Sequence, residues 1–310
     1  MRKIWTPPAW GATKPPRGWP LNRDHDLSRN MVLAATFQDG VGQNYIADSS
    51  GRGNTGVLTN CAAGGVGNWT QGNGGWKFDF DGVNDWITCG NAANLNFGTG
   101  PFTVGVQFTI DAFETRTNLH TPVVWKMQTD GAASAKLGWA VRVRNVAGGN
   151  IVDIILSDAS ALVVVAGPPV VIGRRYTVFM TRGAVIPGKF RLYVDGELYG
   201  EDANGRNGSV DNSWDVGIGH DHRNFGITGN YQYMDGSVEW VYAWGRALHG
   251  YEIRTLTRAN FAPFMPPRSL PLIEAGAAVA GNYPIIGGSH VFGGSKIIGG
   301  NHVIQGVEVG

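Results

Sequence analysis

Cysteine is almost absent: Cys61 and Cys89 are the only two in 310 residues. Two thiols cannot staple a fold of this size, and a cysteine metal site needs more ligands at set spacings. They read as buried free thiols, with a single disulfide as the alternative. Charge is scarce too, at 16% of residues with a formal net charge of +1. No excess of Lys or Arg exists to displace counterions from a phosphate backbone, which argues against general nucleic-acid binding. The pair Arg174-Arg175 reads as an ordinary surface feature. Long apolar runs are missing as well. None approaches the ~18 residues of a membrane span. After the basic start Met1-Arg2-Lys3, Pro7 and Pro8 break the roughly 7–15 apolar residues that a secretory signal requires. These absences lead to the expectation of a chain assembled in a reducing cytoplasm, away from membranes.

Glycine is what the chain has in plenty, 47 residues, without a collagen period. That composition suits many short strands joined by tight turns. From about 29 to 262 the pattern is β throughout. Met31 to Phe37 reads as a strand entering a core, and Phe102 to Ile110 alternates in period two. The segments 139–144, 151–156, 176–180 and 190–194 repeat the pattern, and Asp195-Gly196 is a type I′ hairpin signal leading into Glu197-Leu198-Tyr199. One short helix is expected around 250–256, with Ile253 and Leu256 on one face. Many strands without long helical periods point to an all-β antiparallel sandwich of jelly-roll type.

The flanks differ from this centre. Residues 1–28 form an extended arm in which Trp5, Trp10 and Trp19 are interleaved with Pro7, Pro8, Pro15, Pro16 and Pro20. Proline fixes φ and removes donors, so the arm has no core of its own. Its tryptophans pack either on their own sandwich or on a partner subunit. Residues 263–310 begin as a Pro-rich linker and end in a Gly-rich six-residue repeat of four copies, starting at Pro284, His290, Lys296 and His302. Each copy carries an apolar pair: Ile285-Ile286, Val291-Phe292, Ile297-Ile298 and Val303-Ile304. Such units resemble β-helix coils, and four make little more than one coil, which cannot bury its apolar face alone. The repeat is therefore expected to assemble with a partner, either as three intertwined chains or by adding strands to a neighbour's sheet. A floppy tail is the alternative.

Several motifs carry a family likeness. Asp48-Ser49-Ser50-Gly51-Arg52-Gly53-Asn54-Thr55-Gly56, Phe80-Asp81-Gly82-Val83-Asn84-Asp85-Trp86-Ile87, Tyr193-Val194-Asp195-Gly196 and the closing Gly236 to Leu248 occur in that order. Together they resemble laminin-G-like jelly-rolls of the concanavalin A-like superfamily, over roughly residues 30–260. The lead-in from Gly18 to Arg29 resembles the preface of laminin-G-like proteins among phage and prophage structural genes, although Asp26 and Asn30 depart from that pattern. The resemblance implies a calcium site near the Asp48–Asn54 loop, with Glu239 at the position of the closing strand's usual Asp. The alternative is that Asp48 and Asn54 cap their own turn.

Candidate chemistry is sparse. Glycosidases of this superfamily carry E-x-D-x-x-E on one strand, where period two aims the acids into a cleft. No such run exists here, and Asp79 and Asp81 read as structural. His220-Asp221-His222 puts two imidazoles on one side of a strand, able to hold a metal with Asp211 or Asp215; an exposed Gly-flanked loop explains it equally. A glycan would be met by aromatics and polar groups in loops, and Trp214, Asp215, His222, Asn224, Phe225, Asn230 and Tyr231 lie in such a loop. Trp240 and Trp244 share a parity and read as buried. The function expected is a non-enzymatic virion structural protein: an oligomeric, trimeric capsid decoration protein on the virion surface, assembled in the host cytoplasm with capsid partners. A receptor- or glycan-binding appendage module recognising cell-surface glycans is the alternative, and a polysaccharide-cleaving enzyme the remote one.

Overall fold

The computed structural model describes residues 13–62, 65, 67–72, 74–113, 120–128, 136–158, 162–183, 189–202, 208–221, 232–265, 290–292 and 296–298. The chain divides into two compact units, Met1–Pro267 and Arg268–Gly310, each taken by itself.

The strands of the larger unit are β1 (Met31–Ala35), β2 (Tyr45–Ile46), β3 (Gly56–Thr59), β4 (Trp69–Gly72), β5 (Gly75–Asp81), β6 (Trp86–Thr88), β7 (Phe102–Ala112) and β8 (His120–Met127). They continue as β9 (Leu137–Val146), β10 (Gly149–Asp158), β11 (Leu162–Pro169), β12 (Arg175–Arg182), β13 (Phe190–Val194), β14 (Glu197–Asp202), β15 (Gly217–Ile218) and β16 (Asp235–Trp244). The expected β segments fall in strands, except that the first, expected from Met31 to Phe37, ends at Ala35, with Phe37 turned to a φ of 56°. Asp195 and Gly196 have φ of 51° and 91°, the left-handed pair that a type I′ turn requires.

Two antiparallel sheets result. The first runs β14-β13-β12-β7-β16-β5-β4, with β1 sharing the β16 edge beside β5. The second runs β11-β10-β9-β8-β15-β6-β3-β2. Period two turns Val104, Val106 and Phe108 of β7 and Val141, Val143 of β9 inward, where they meet in one buried core. This is the jelly-roll sandwich the sequence pattern implies.

The outer face of the first sheet is also buried. A register shift between Val238 and Trp240 reverses the parity of β16, so Val238, Val241 and Ala243 stay inward while Trp240, Tyr242 and Trp244 face out. The helix α1 (Gly250–Arg258) covers them with Ile253 and Leu256, the pair expected to share a face. Glu252 of α1 accepts two bonds from Arg246, at 2.7 and 3.0 Å, and one from the His249 amide, fixing the helix start. Trp240 and Trp244 are thus buried under helix and arm rather than under the opposite sheet.

The arm joins this cover from residue 13 onward. Leu21 and Leu27 are buried in the cluster, and Trp19 packs against it. The Trp244 indole donates to the Leu27 carbonyl at 2.7 Å. Of the two fates open to the arm's tryptophans, Trp19 takes its own sandwich; Trp5 and Trp10 lie outside the described residues. Asn22 ties the arm to the chain's exit from the unit, its amide donating to the Pro263 carbonyl and its side chain to the Met265 carbonyl.

In the smaller unit β17 (His290–Phe292) and β18 (Lys296–Ile298) pair antiparallel, Val291 opposite Ile297. These are the second and third repeat copies. Ile285, Ile286, Val303 and Ile304 lie outside the described residues.

Candidate functional site: the outer face of the second sheet

With the first sheet covered, the second sheet supplies the other broad face. Strand register lays a row across it: Tyr45, Val57, Thr88, Gly217, Trp125, Ala140, Ile155 and Val164. Cross-strand partners share a face, so the row is continuous. At its centre Trp125, Met127, Ala140 and Ile155 form a small buried cluster. At its margins Tyr45, Val57 and Val164 are exposed.

Beside this row lies a strip of aromatic and charged groups. Trp86 of β6 stacks on His220 with centroids 4.9 Å apart, and Tyr233 lies 5.1 Å from His220 and 6.0 Å from Trp86. Trp86 and Tyr233 are half-buried; His220 is buried between them. Next to His220 in the chain, Asp221 lies 3.5 Å from Nε2 of His120, which itself stacks on Trp125 at 4.8 Å. His120 is the cross-strand partner of Arg144. Arg144 and Arg142 both reach Asp153 of β10, at 2.5 and 2.7 Å. The strip therefore combines apolar ring faces with hydrogen-bonding and cationic groups.

Of the expected ligand loop, the structure describes Trp214 and Asp215, which are both half-buried and precede β15. Their position is set by Lys126, whose buried ammonium donates to Asn91 Oδ1 and to the Trp214 carbonyl, each at 2.7 Å. Burial lowers the Lys126 pKa to about 8, against the pull of Asp211 and Asp215. His222, Asn224, Phe225, Asn230 and Tyr231 lie outside the described residues. His220 and Asp221 correct one expectation. They are buried in the strip, not carried on an exposed loop, and Asp211 is turned to the Gly98 amide at 2.5 Å. Among the described residues no group of three or more His, Cys, Asp and Glu could hold a metal ion.

The residues expected to hold calcium are otherwise engaged. Asp48 Oδ1 accepts from the amides of Ala34 and Ser50, both at 2.9 Å. Its Oδ2 accepts from Ser50 Oγ at 2.8 Å and from the Asn54 amide at 2.9 Å. Asn54 Nδ2 and Ser50 Oγ both reach the Val32 carbonyl, tying the loop to β1. Glu239 pairs with Arg175 at 3.5 Å. Among the side-chain oxygens of Asp48, Ser50, Asn54 and Glu239, only Asn54 Oδ1 is buried without a partner, whereas calcium takes six to eight oxygens. These side chains, so arranged, do not fit a calcium ion.

The thiols are unpaired, Cys89 buried and Cys61 half-buried. Burial pushes the pKa of each up to about 12. Asp79 bonds to Thr70 and Lys77, and Asp81 caps the turn at Val83 and Asn84. No helix among the described residues is long and apolar enough to cross a membrane.

A laminin G-type family model, described as the concanavalin A-like lectin/glucanases superfamily, matches residues 80–254. No curated protein sequence matches the chain significantly. Among solved structures, the binding domain of Paraclostridial Mosquitocidal Protein 1 superposes with a TM-score of 0.56 at 13% identity, over 76% of this chain and 54% of that one. Botulinum neurotoxin type C, whose cell entry is dependent upon interaction with two ganglioside molecules, gives 0.51 at 12%, over 75% and 52%. Trypanosoma rangeli sialidase in complex with 2,3-difluorosialic acid gives 0.50 at 19%, over 76% and 34%. The chain thus spans about half the length of the two toxin chains and a third of the sialidase. At these identities the likeness shows the fold alone.

Proposed function

Because the chain belongs to the concanavalin A-like lectin/glucanase superfamily, we propose that its jelly-roll is a non-catalytic, lectin-like module that takes a glycan on the outer face of its second sheet. The observation that carries this reading is the pair of half-buried rings, Trp86 and Tyr233, stacked about the buried His220 beside hydrogen-bonding groups. Sugar rings present C–H faces to aromatic rings and hydroxyls to polar side chains, so such a mixed surface suits them. The acids of the strip favour binding over cleavage: Asp153 is held between two guanidiniums, and Asp221 faces His120. A glycan array of the full chain tests the proposal, with Trp86→Ala as the control. Binding that falls at least roughly tenfold in the variant supports it, as loss of one ring platform should. An array without signal for the wild-type chain, with or without calcium, ends it.

A second reading rests on a separate observation, the pairing of two repeat copies as β17 and β18. Two three-residue strands are too few for an independently stable sheet. Such a hairpin favours assembly with further copies, and on this reading the chain is an oligomeric virion component, a trimeric capsid decoration protein displaying its jelly-roll on the capsid surface. Light scattering before and after deletion of residues 282–310 tests the assembly step. An intact chain that is already monomeric rules it out.

A further inference from the structure

We infer that the first sheet carries a second binding site, a cleft between β13 and the turn into α1 that takes an organic carboxylate with an apolar body. It is separate from the glycan-binding face and does not depend on it. The cover over the first sheet thins along β13. Period two turns Phe190, Leu192 and Val194 into the core and sends Arg191 and Tyr193 to the outer face. Tyr193 is buried under the cover, whereas the Arg191 side chain is 32% exposed and Lys189, just before the strand, is exposed. Facing them is the turn 246–250, which leads into α1. Thr103 pins that turn, its Oγ accepting from the Leu248 amide and donating to the Arg246 carbonyl, each at 2.9 Å. Strand and turn enclose a half-open cleft of about 580 Å³.

The lining is sorted by chemistry. Pro101, Ala247 and Leu248 supply apolar surface, Lys189, Arg191 and Arg246 supply cations, and none of the described acids lines the cleft. Arg246 is fully engaged, by both oxygens of Glu252 and by the carbonyls of Asp26 and Arg29. Arg191 is not. Its cross-strand partner Glu201 accepts from Arg191 Nε at 3.0 Å and from Lys189 Nζ at 2.6 Å. One exposed carboxylate thus serves two cations, and the terminal nitrogens of Arg191 bond to no described residue. Tyr193 reaches Gly250, where a Cβ would lie 3.7 Å from its ring, and its hydroxyl likewise bonds to no described residue. Arg254 of α1 approaches the same glycine, its Nη1 3.7 Å from that Cβ, and pairs with no described carboxylate. A planar guanidinium with a free edge takes a carboxylate in bidentate fashion, and a hydroxyl beside it adds a donor. The apolar surface then receives the body of the ligand. Exposed ion pairs contribute little to stability, so drawing Lys189 toward a ligand costs the fold little.

Calorimetric titration of the full chain with benzoate, benzamide, acetate and inorganic phosphate tests the inference. Benzoate is expected to bind roughly tenfold tighter than benzamide, which lacks the charge, and than acetate, which lacks the body. Its binding should weaken as salt rises. Arg191→Gln should bring benzoate within about twofold of benzamide while the melting temperature holds. Arg191→Lys keeps the charge without the fork and should retain part of the preference; it also serves if the Gln variant fails to fold. Arg174→Gln, which removes an exposed arginine paired with Asp195 outside the cleft, should change nothing. Benzoate no tighter than benzamide overturns the inference, as does acetate or phosphate bound as tightly as benzoate. Unchanged benzoate binding in both Arg191 variants, or none in the wild type up to about 10 mM, overturns it as well.

Discussion

Replacing Asp48 by Asn should destabilise the jelly-roll by about 2–4 kcal/mol, through hydrogen bonds and not through a metal. Four donors converge on the Asp48 carboxylate, all at 2.8–2.9 Å, within a loop whose Ser50 and Asn54 are 1% exposed. An amide in its place keeps one acceptor for the amides of Ala34 and Ser50. Its NH2 group then faces the Asn54 amide, donor against donor. Ser50 Oγ escapes the conflict because the Val32 carbonyl lies 3.1 Å away. One buried N–H without a partner costs about 1–3 kcal/mol, and lost charge assistance in the other two bonds adds about 1. For a domain of this size each kcal/mol lowers the melting temperature by about 2–4 °C, so a fall of roughly 4–16 °C is expected. Thermal unfolding followed by tryptophan fluorescence reads it, with calcium and with EDTA. The fall should be the same in both. A wild-type melting temperature that rises with calcium and drops with EDTA, beside an Asp48→Asn variant indifferent to either, would refute the reasoning and restore the calcium site.

Lys14 offers a test by pH. Its ammonium is buried, donating to the carbonyls of Trp76 and Glu239, and burial lowers its pKa to about 7 against the pull of Glu239 and Asp39. Between that value and the ordinary lysine value of 10.5 the unfolded chain holds a proton that the folded chain lacks, so this group makes stability rise with pH across the window. Denaturant titrations from pH 6 to 10 should show a steeper rise in the wild type than in Lys14→Met, which keeps only the contribution of Lys126 above about pH 8; parallel curves would disprove it. Gly138 has φ +126°, and a Cβ there would lie 1.9 Å from the Lys126 carbonyl oxygen. Gly138→Ala should therefore cost more than about 3 kcal/mol by urea unfolding, and a loss under 1 would contradict the packing. With both thiol pKa values near 12, Cys61 and Cys89 should react slowly with a disulfide reagent at pH 8 and fast once unfolded. Rapid labelling of the native chain would refute that.

Much of the sandwich was legible because period two is a local signal. The β7 and β12 patterns, the Asp195-Gly196 turn and the short helix all show in runs of under a dozen residues. Harder to read was which face each residue joins after a register shift. The irregularity beside Glu239 reverses β16, and only the structure shows Trp240 and Trp244 meeting α1 instead of the opposite sheet. The candidate site was the least legible part. Attention to loops picks out Trp214 and Asp215, whereas the strip is assembled across strands distant in sequence: Trp86, His120, Arg144 and Tyr233. One signal for it did exist. In Val141-Arg142-Val143-Arg144 both arginines take the parity opposite to the core valines, and Asp153 takes the same outward parity in the next strand.

The stitch between Asn22 and the segment Pro263–Met265 has a mechanical consequence. Two amide-to-carbonyl bonds, at 2.9 and 2.7 Å, and one from Ser28 Oγ to the Pro263 carbonyl hold the incoming and outgoing chain side by side. Tension applied through the outgoing flank meets these few bonds first and peels them as a zipper opens. On the incoming side the bonds of Lys14 to Gly74, Trp76 and Glu239 take the load before them. The ten-residue pairings at the middle of the sheets carry load only after that seam has parted. A module grafted by both flanks into another protein would thus yield at its seam under pull while its far sheet keeps its shape.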